Sequence, residues 1–235
     1  DNCSTDSSAK IFKSINDERF FYFLATKHTN LSSARNLSLE KSKGELISFI
    51  DCDDTWDENK LEEQSKIFMK DEKVGAVYSG YNILNHRKKN FFIEKVNKTF
   101  PSGFITNYLL KDYCIGFSSV IFKKNYLNKF NSKYHMIYDF DKILNLSINY
   151  KIECINKPLT NFRIHSQNER LLNRQSELNE KILWVEELEN QKKFSNYNNL
   201  RLLKIEFYYA FCLSLLLQEK LNKLLQNIIL ASFIK

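Results

Sequence analysis

The chain has 235 residues, 43% hydrophobic and 27% charged, with five glycines, two prolines and a formal charge of +7. That composition suits one large globular domain, or one domain plus an appendage, and excludes collagenous, low-complexity and disordered classes. The basic balance, with a pI near 9.0, fits an anionic partner such as a nucleotide, a phospholipid surface or nucleic acid, and fits solvated lysines as well. No nucleic-acid-binding motif accompanies the charge, so no nucleic acid is expected among the partners.

In chain order, Asp1–Ser8 reads as a polar turn, with Ser4, Thr5 and Asp6 as cap candidates for a helix running to about Asp17. Phe20–Ala25 reads as a strand, and Ser32–Lys43 as a polar helix closed by Gly44. A strand at Glu45–Ile50 ends in an acidic loop. Helix Glu58–Asp71 and strand Val74–Tyr81 follow, then a short strand at Asn90–Val96 and a short helix at Gly103–Leu110. Ser118–Phe122 is apolar and extended, Asp139–Tyr150 helical, and Lys151–Ile155 and Leu159–Ile164 are short strands. From Ser176 onward apolar residues recur at three- and four-residue spacing, as in helices. Alternation of strand and helix in the first half predicts a mainly parallel sheet flanked by helices.

The five cysteines (Cys3, Cys52, Cys114, Cys154 and Cys212) are odd in number, widely spaced and lack a CxxC pair. This argues against a disulfide framework or zinc knuckle, and for a reducing, cytoplasmic compartment. The longest apolar run, Phe207–Leu217, is broken by Ser214 and is too short to span a bilayer. No secretory leader is visible, and the chain opens on Asp1 rather than Met, so an upstream segment can be missing.

The most informative stretch is Ile47-Ser48-Phe49-Ile50-Asp51-Cys52-Asp53-Asp54. An apolar strand that ends in three acids within four positions must open onto solvent or a cation, because an unpaired buried carboxylate is costly. In an α/β fold, charge at the C-terminal end of a strand is charge presented to a ligand. An Asp-x-Asp pair offers hard oxygen ligands suited to Mn2+ or Mg2+, which typically keep substrate phosphate oxygens in their shell. The plainer reading is a solvated loop in which Asp54 caps the following helix.

The surrounding motifs add to this. Asp1-Asn2-Cys3-Ser4-Thr5-Asp6, Asn30-Leu31-Ser32-Ser33-Ala34-Arg35-Asn36 and Lys43-Gly44-Glu45-Leu46 running into the acidic strand stand in that order, with Trp56 and Lys60-Leu61-Glu62-Glu63-Gln64 after them. Ser118-Ser119-Val120-Ile121-Phe122-Lys123, Asp139-Phe140-Asp141-Lys142-Ile143-Leu144 and Asn161-Phe162-Arg163-Ile164-His165 come later. Together these resemble the signatures of family-2, GT-A-type glycosyltransferases over roughly residues 1–168. Each motif is weak alone; their order and spacing are specific.

The resemblance implies a GT-A-like α/β domain over 1–170 and a C-terminal helical region over 171–235. It implies a glycosyltransferase of hexosyltransferase type that moves a sugar from a nucleotide-diphosphate-sugar donor, a UDP-sugar, to a hydroxyl of a glycan or lipid-linked acceptor. Such an enzyme would be inverting, dependent on Mn2+ or Mg2+ and used in polysaccharide biosynthesis. Asp51 would lie against ribose or metal, and Asp53 would ligate the metal. Asp1 or Asn2 and Arg35 would contact the nucleoside; their alternative is ordinary turn and helix surface. Asp139 matches the presumed base of inverting members, with Tyr138 where the family has Glu, and could instead be only a helix N-cap. Asp141 would face away or support the helix start.

Arg163 and His165 alternate on a strand and so share a face. Arg163 could clamp the diphosphate and His165 complete the metal shell, or His165 could be an ordinary polar residue. His28, His86 and His135 match no motif, and no Gly-rich phosphate loop occurs. The family's first strand–helix–strand unit would precede Asp1, so the chain is expected to be an N-terminally truncated fragment whose sheet has a gap between Phe20–Ala25 and Glu45–Ile50.

The tail Lys220–Lys235 carries Leu221, Leu224, Leu225, Ile228, Ile229 and Phe233 on one stripe flanked by lysines. It suits peripheral contact with the inner face of a membrane, or packing on the domain or a second subunit. Two rival functions stand beside the transferase: a non-catalytic nucleotide- or sugar-binding relative, and a glycoside hydrolase using Asp53 and Asp139 as its carboxylate pair.

Overall fold

The computed structural model describes residues 1–26, 30–86, 92–96, 98–191 and 194–233, with the side chains of 190 and 221–233 left aside. The chain packs as two units, one made of Asp1–Ile105 with Cys114–His165 and the other of Thr106–Tyr113 with Ser166–Lys235.

The first unit is built on a six-stranded sheet. Its strands are β1 (Leu46–Ser48), β2 (Thr55–Trp56), β3 (Val74–Asn85), β4 (Phe92–Lys95), β5 (Ile121–Lys123) and β6 (Lys151–Ile164). Their order is β1-β5-β3-β6-β2, with β4 paired to β3. Val74, Ala76, Val77 and Tyr78 are each at most 1% exposed, the continuous burial of a central strand covered on both faces. The longest pairing, β3 with β6, is parallel, from Val74↔Lys151 to Asn85↔Ile164. Shorter antiparallel pairings flank it: β1 with β5, β5 with β3, β2 with β6 and β3 with β4. The mainly parallel character read from the sequence thus resides in the long central pairing of a mixed sheet.

The two short strands expected at Lys151–Ile155 and Leu159–Ile164 are one strand, β6, which slips register against β3 on either side of Gly80. The slip brings Lys157 against Gly80 so closely that a β-carbon there would lie 3.0 Å from the Lys157 carbonyl oxygen. β2, not foreseen, lays Thr55 and Trp56 antiparallel to Asn161 and Thr160.

Helices α1 (Ser8–Lys13), α2 (Leu31–Lys41), α3 (Lys60–Phe68) and α5 (Tyr138–Ser147) belong to this unit. Asn30 caps α2, its side chain accepting from Ser33 N at 2.9 Å. Gly44 does not close α2, contrary to expectation. The helix stops at Lys41, and Ser42 is already extended, with ψ of 142°. On α3, Lys60, Gln64 and Phe68 recur every four residues and are all buried. Phe68 packs with Val74, Val77 and Ile121. One turn earlier, Gln64 Nε2 donates to both Val77 O and Ser119 O at 2.9 Å, tying β3 to the turn before β5.

Phe20–Ala25 is not a strand. Its backbone finds no ladder: Phe20 N bonds Asp17 O at 3.0 Å, Ala25 N bonds Asp1 O at 2.8 Å, and the Asp1 amino group bonds Phe23 O at 2.9 Å. Phe20 and Tyr22 meet the Phe12 ring of α1 instead of a neighbouring strand, and Phe20, Phe21, Phe23 and Leu24 are 42–67% exposed. A gap between two paired strands is therefore not what the structure presents here; one of the two expected strands is absent.

The second unit is helical: α4 (Thr106–Lys111), α6 (Glu169–Leu172), α7 (Arg174–Gln191) and α8 (Asn199–Phe233). Trp184, Val185, Leu188, Phe194, Leu200, Leu203 and Phe207 are buried in it. Leu202, Ile205, Tyr209, Leu213, Leu216 and Leu217 of α8 are 43–70% exposed. The side chains of the stripe beyond Lys220 lie outside the described residues. No helix among the described residues is long and apolar enough to cross a membrane.

Candidate active site

Beyond Ser48, β1 loses its partner, and the chain turns through Asp51–Asp54 into β2. Ser118 holds this turn. Its hydroxyl accepts from Asp51 N at 3.1 Å and hydrogen-bonds the Asp54 carboxylate, while its carbonyl accepts from Trp56 Nε1 at 2.7 Å. Asp54 N closes the turn on Asp51 O at 3.0 Å. The acidic loop is thus a defined turn fastened to the short 3-10 segment Phe117–Ser119.

Asp54 does not cap α3. Its Oδ1 accepts from Arg163 N at 3.0 Å, binding the loop to the end of β6. Burial raises its carboxyl to about 6, against the opposing hydrogen bonds from Ser118 and Arg163. The neighbouring Cys52 thiol is pushed up chiefly by burial and then by the adjacent carboxylates.

Arg163 also donates from Nε to Asp53 O at 2.8 Å, and its Nη1 lies 3.0 Å from His86 Nε2. Guanidinium can only donate, so His86 accepts there and carries any proton on Nδ1. His165, two residues on along β6, places Nε2 3.0 Å from Asp53 Oδ2. Asp53 and His165 therefore face one point from two different strand ends, with side chains 27% and 33% exposed. A cation held between the two would take the place of this direct contact.

No group of three or more His, Cys, Asp or Glu side chains suited to a metal is found among the described residues. The pair nonetheless fits Mn2+ or Mg2+, hard ions commonly held by one or two carboxylates with substrate phosphates completing the shell.

Arg35 is 7% exposed. Its guanidinium carbon lies 4.4 Å from the Phe117 ring, 4.9 Å from Tyr138 and 5.4 Å from Phe49. Nη2 makes an ion pair with Asp51. The aromatic box fixes the guanidinium, and the guanidinium orients Asp51. Because Tyr138 is the first residue of α5, the same box sets Asp139 one residue away, in the first turn of that helix. Asp139 is 8% exposed, and the N-cap position belongs to Ile137. Asp139 Oδ1 accepts from Phe140 N at 2.8 Å, where a helix N-terminus favours negative charge. Asp141 is buried and bonds Asn145 one turn on, supporting the helix.

Asp1 and Asn2 are exposed. Asp1 accepts from Ser4 N at 2.8 Å and from the Tyr22 hydroxyl, which ties it to the 20–25 segment. The structure thus gathers Arg35, Asp51, Asp53, Arg163 and His165 around one loop, leaves Asp139 next in sequence to Tyr138 of the Arg35 box, and ties Asp1 to the 20–25 segment. Ser118, Trp56 and Lys60, which the sequence offered only as motif residues with no role at the site, enter its surroundings, and so does His86. Trp56 on β2 and Lys60 at the start of α3 meet across the strand-to-helix connection, which no local spacing announces; His86 has no sequence signal.

The Escherichia coli UDP-Glc:alpha-D-GlcNAc-diphosphoundecaprenol beta-1,3-glucosyltransferase WfaP is 34% identical over 170 residues, 71% of this chain and 64% of that protein. A second E. coli enzyme of the same description, WfgD, is 30% identical over 148 residues, covering 63% of this chain and 55% of its own. The Bacillus subtilis putative teichuronic acid biosynthesis glycosyltransferase TuaG is 33% identical over 86 residues, 36% of this chain and 34% of that one. The chain therefore spans between a third and two thirds of these relatives. The crystal structure of Staphylococcus aureus TarS 1-349 superposes with a TM-score of 0.62 at 14% identity, covering 90% of this chain and 61% of that one, which supports a GT-A-like fold. The family described as "Glycosyl transferase family 2" matches residues 1–152, the stretch carrying Arg35, the acidic loop and Asp139, and the chain belongs to that family.

Proposed function

We propose that the whole protein transfers a sugar, with inversion, from a UDP-sugar to a hydroxyl of a lipid-linked glycan acceptor, aided by Mn2+ or Mg2+. The observation that carries this is the convergence of Asp53 with His165, and of Arg163 with the same loop, at the open end of the sheet. A polysaccharide-building role follows the names of the relatives, two of which take alpha-D-GlcNAc-diphosphoundecaprenol and one of which is named for teichuronic acid biosynthesis.

Arg35 orients Asp51 toward the ribose or the metal, and Arg163 offers its guanidinium to the diphosphate. Asp53 and His165 would hold the cation. When bound, that ion would offset charge on the departing diphosphate. Asp139 takes the proton from the acceptor hydroxyl as that oxygen bonds to the anomeric carbon. The bond from this carbon to the diphosphate oxygen breaks with its electrons, and UDP leaves. Nucleoside contact by Asp1 or Asn2 would require the first turn to meet the nucleoside beside the 20–25 segment. The exposed apolar residues of α8 suit peripheral contact with the inner face of the membrane, where such acceptors reside.

Calorimetry with UDP and Mn2+, followed by transfer from UDP-glucose to an undecaprenol-diphosphate-linked GlcNAc with detection of released UDP, tests the reading. Binding that is independent of metal, or that survives in Asp53→Ala, refutes it.

A further inference from the structure

Lys60 is the first residue of α3, and its side chain is 0% exposed. Lysine is almost never fully buried without a partner, because desolvating an ammonium is expensive. Yet Nζ has no hydrogen-bond partner among the described residues, and no carboxylate pairs with it. Its one defined contact is the Trp56 ring, whose centroid lies 4.2 Å from Nζ. A methionine or leucine would fill this layer at lower cost, so something other than packing accounts for an amine here.

What the amine touches is the anchor of the acidic loop. Trp56 follows Asp53 and Asp54 by three and two residues, and its indole N–H donates to Ser118 O at 2.7 Å. Ser118 in turn receives Asp51 N and hydrogen-bonds Asp54. Nζ over the indole face, indole to Ser118, and Ser118 to both ends of the acid run form one continuous chain of contacts. Trp56 is only half-buried and sits on β2, a strand of two residues, so the ladder alone holds it weakly. The underside of its ring rests on the amine. Gln64, one turn along α3, is fixed to Val77 O and Ser119 O, which seats the helix that presents Lys60 against the same 3-10 segment.

We propose that Lys60 is a positioning residue. From beneath Trp56 it holds the indole against Ser118 and so sets the acidic loop for the metal and the donor diphosphate. The proposal rests on the transferase reading for its consequence, though not for its geometry. A tightly held loop has Asp51 and Asp53 in place before donor arrives, and preorganisation of this kind appears as affinity.

The test uses the whole chain and the variants Lys60→Met, Lys60→Arg and Trp56→Phe. Hydrogen exchange of the Trp56 indole N–H, followed by NMR with buried Trp184 as internal reference, reads the positioning directly. In Lys60→Met, with thermal stability equal to or above wild type, Trp56 protection should fall at least about tenfold while Trp184 protection is unchanged. UDP binding with Mn2+ by calorimetry should weaken by about tenfold, which is about 1.4 kcal/mol. Lys60→Arg should recover part of both, and the Lys60→Met effect on UDP binding should largely vanish in a Trp56→Phe background. Unchanged Trp56 protection in folded Lys60→Met overturns the proposal, as does unaltered UDP affinity. Wild-type protein that binds no UDP refutes the donor reading instead, and the indole measurement then decides the positioning by itself.

Discussion

Replacing Lys60 by methionine should make the protein more stable at neutral pH and remove a specific part of its pH dependence. Burial pushes the Lys60 amine down from its ordinary 10.5 to about 7. A lysine that binds its proton less tightly when folded lowers stability wherever folding carries the ammonium inside. Below pH 7 that cost is complete. Between pH 7 and 10.5 the folded amine is already neutral while the unfolded one is losing its proton, so the cost fades as pH rises. The gap of about 3.5 pH units corresponds to about 5 kcal/mol. Methionine keeps the apolar volume of the stem and carries no charge. Urea unfolding of both proteins should therefore find Lys60→Met ahead by about 5 kcal/mol near pH 6.5, with the curves drawing together toward pH 10.5. A difference that stays constant across that range, or a wild type that is the more stable at the acid end, would refute the reasoning. The same substitution is expected to loosen the acidic loop, so stability and donor affinity should move in opposite directions, as they do where a site is kept at the expense of the fold.

Asp53→Ala and His165→Ala should each weaken Mn2+-dependent UDP binding by at least about tenfold in calorimetry, since each would supply one of the two protein ligands proposed for the ion. Asp139→Asn should lower transfer by about 10² to 10⁴ while UDP binding holds; full turnover in that variant removes the base assignment. Gly116→Ala should lower stability by about 1–3 kcal/mol in thermal melts, because its β-carbon would lie 2.1 Å from the Phe162 ring. The displaced Phe162 would carry Arg163 with it, so UDP affinity should fall as well.

The site was largely legible because its residues sit in local patterns. An apolar strand running into Asp51–Asp54 implies an acidic strand end from the cost of burying carboxylates alone. Arg163 and His165 are two apart, so any strand puts them on one face. Arg35 was foreseen as a donor contact, but its aromatic box was not: Phe49, Phe117 and Tyr138 come from three distant segments, and nothing local announces that they close on one guanidinium. His86 was invisible for a similar reason. Its place beside Arg163 follows from β3 running four residues past the expected end at Tyr81, in register with β6. Phe20–Ala25 shows the opposite failure, since a run of aromatics has strand propensity, but a strand exists only where a neighbour offers a ladder.

What the chain determined by itself is what short-range physics decides: helical and extended periods, and acids that must face outward. What tertiary structure alone decided is pairing. It joined two expected strands into β6, slipped them past Gly80, and set His165 against Asp53 across 112 residues of chain. It also enclosed Lys60 beneath Trp56. The physical reason is that burial and partnership belong to the assembled layers rather than to any segment. The acidic run told of a ligand; only the fold supplied the residues that hold the run in place.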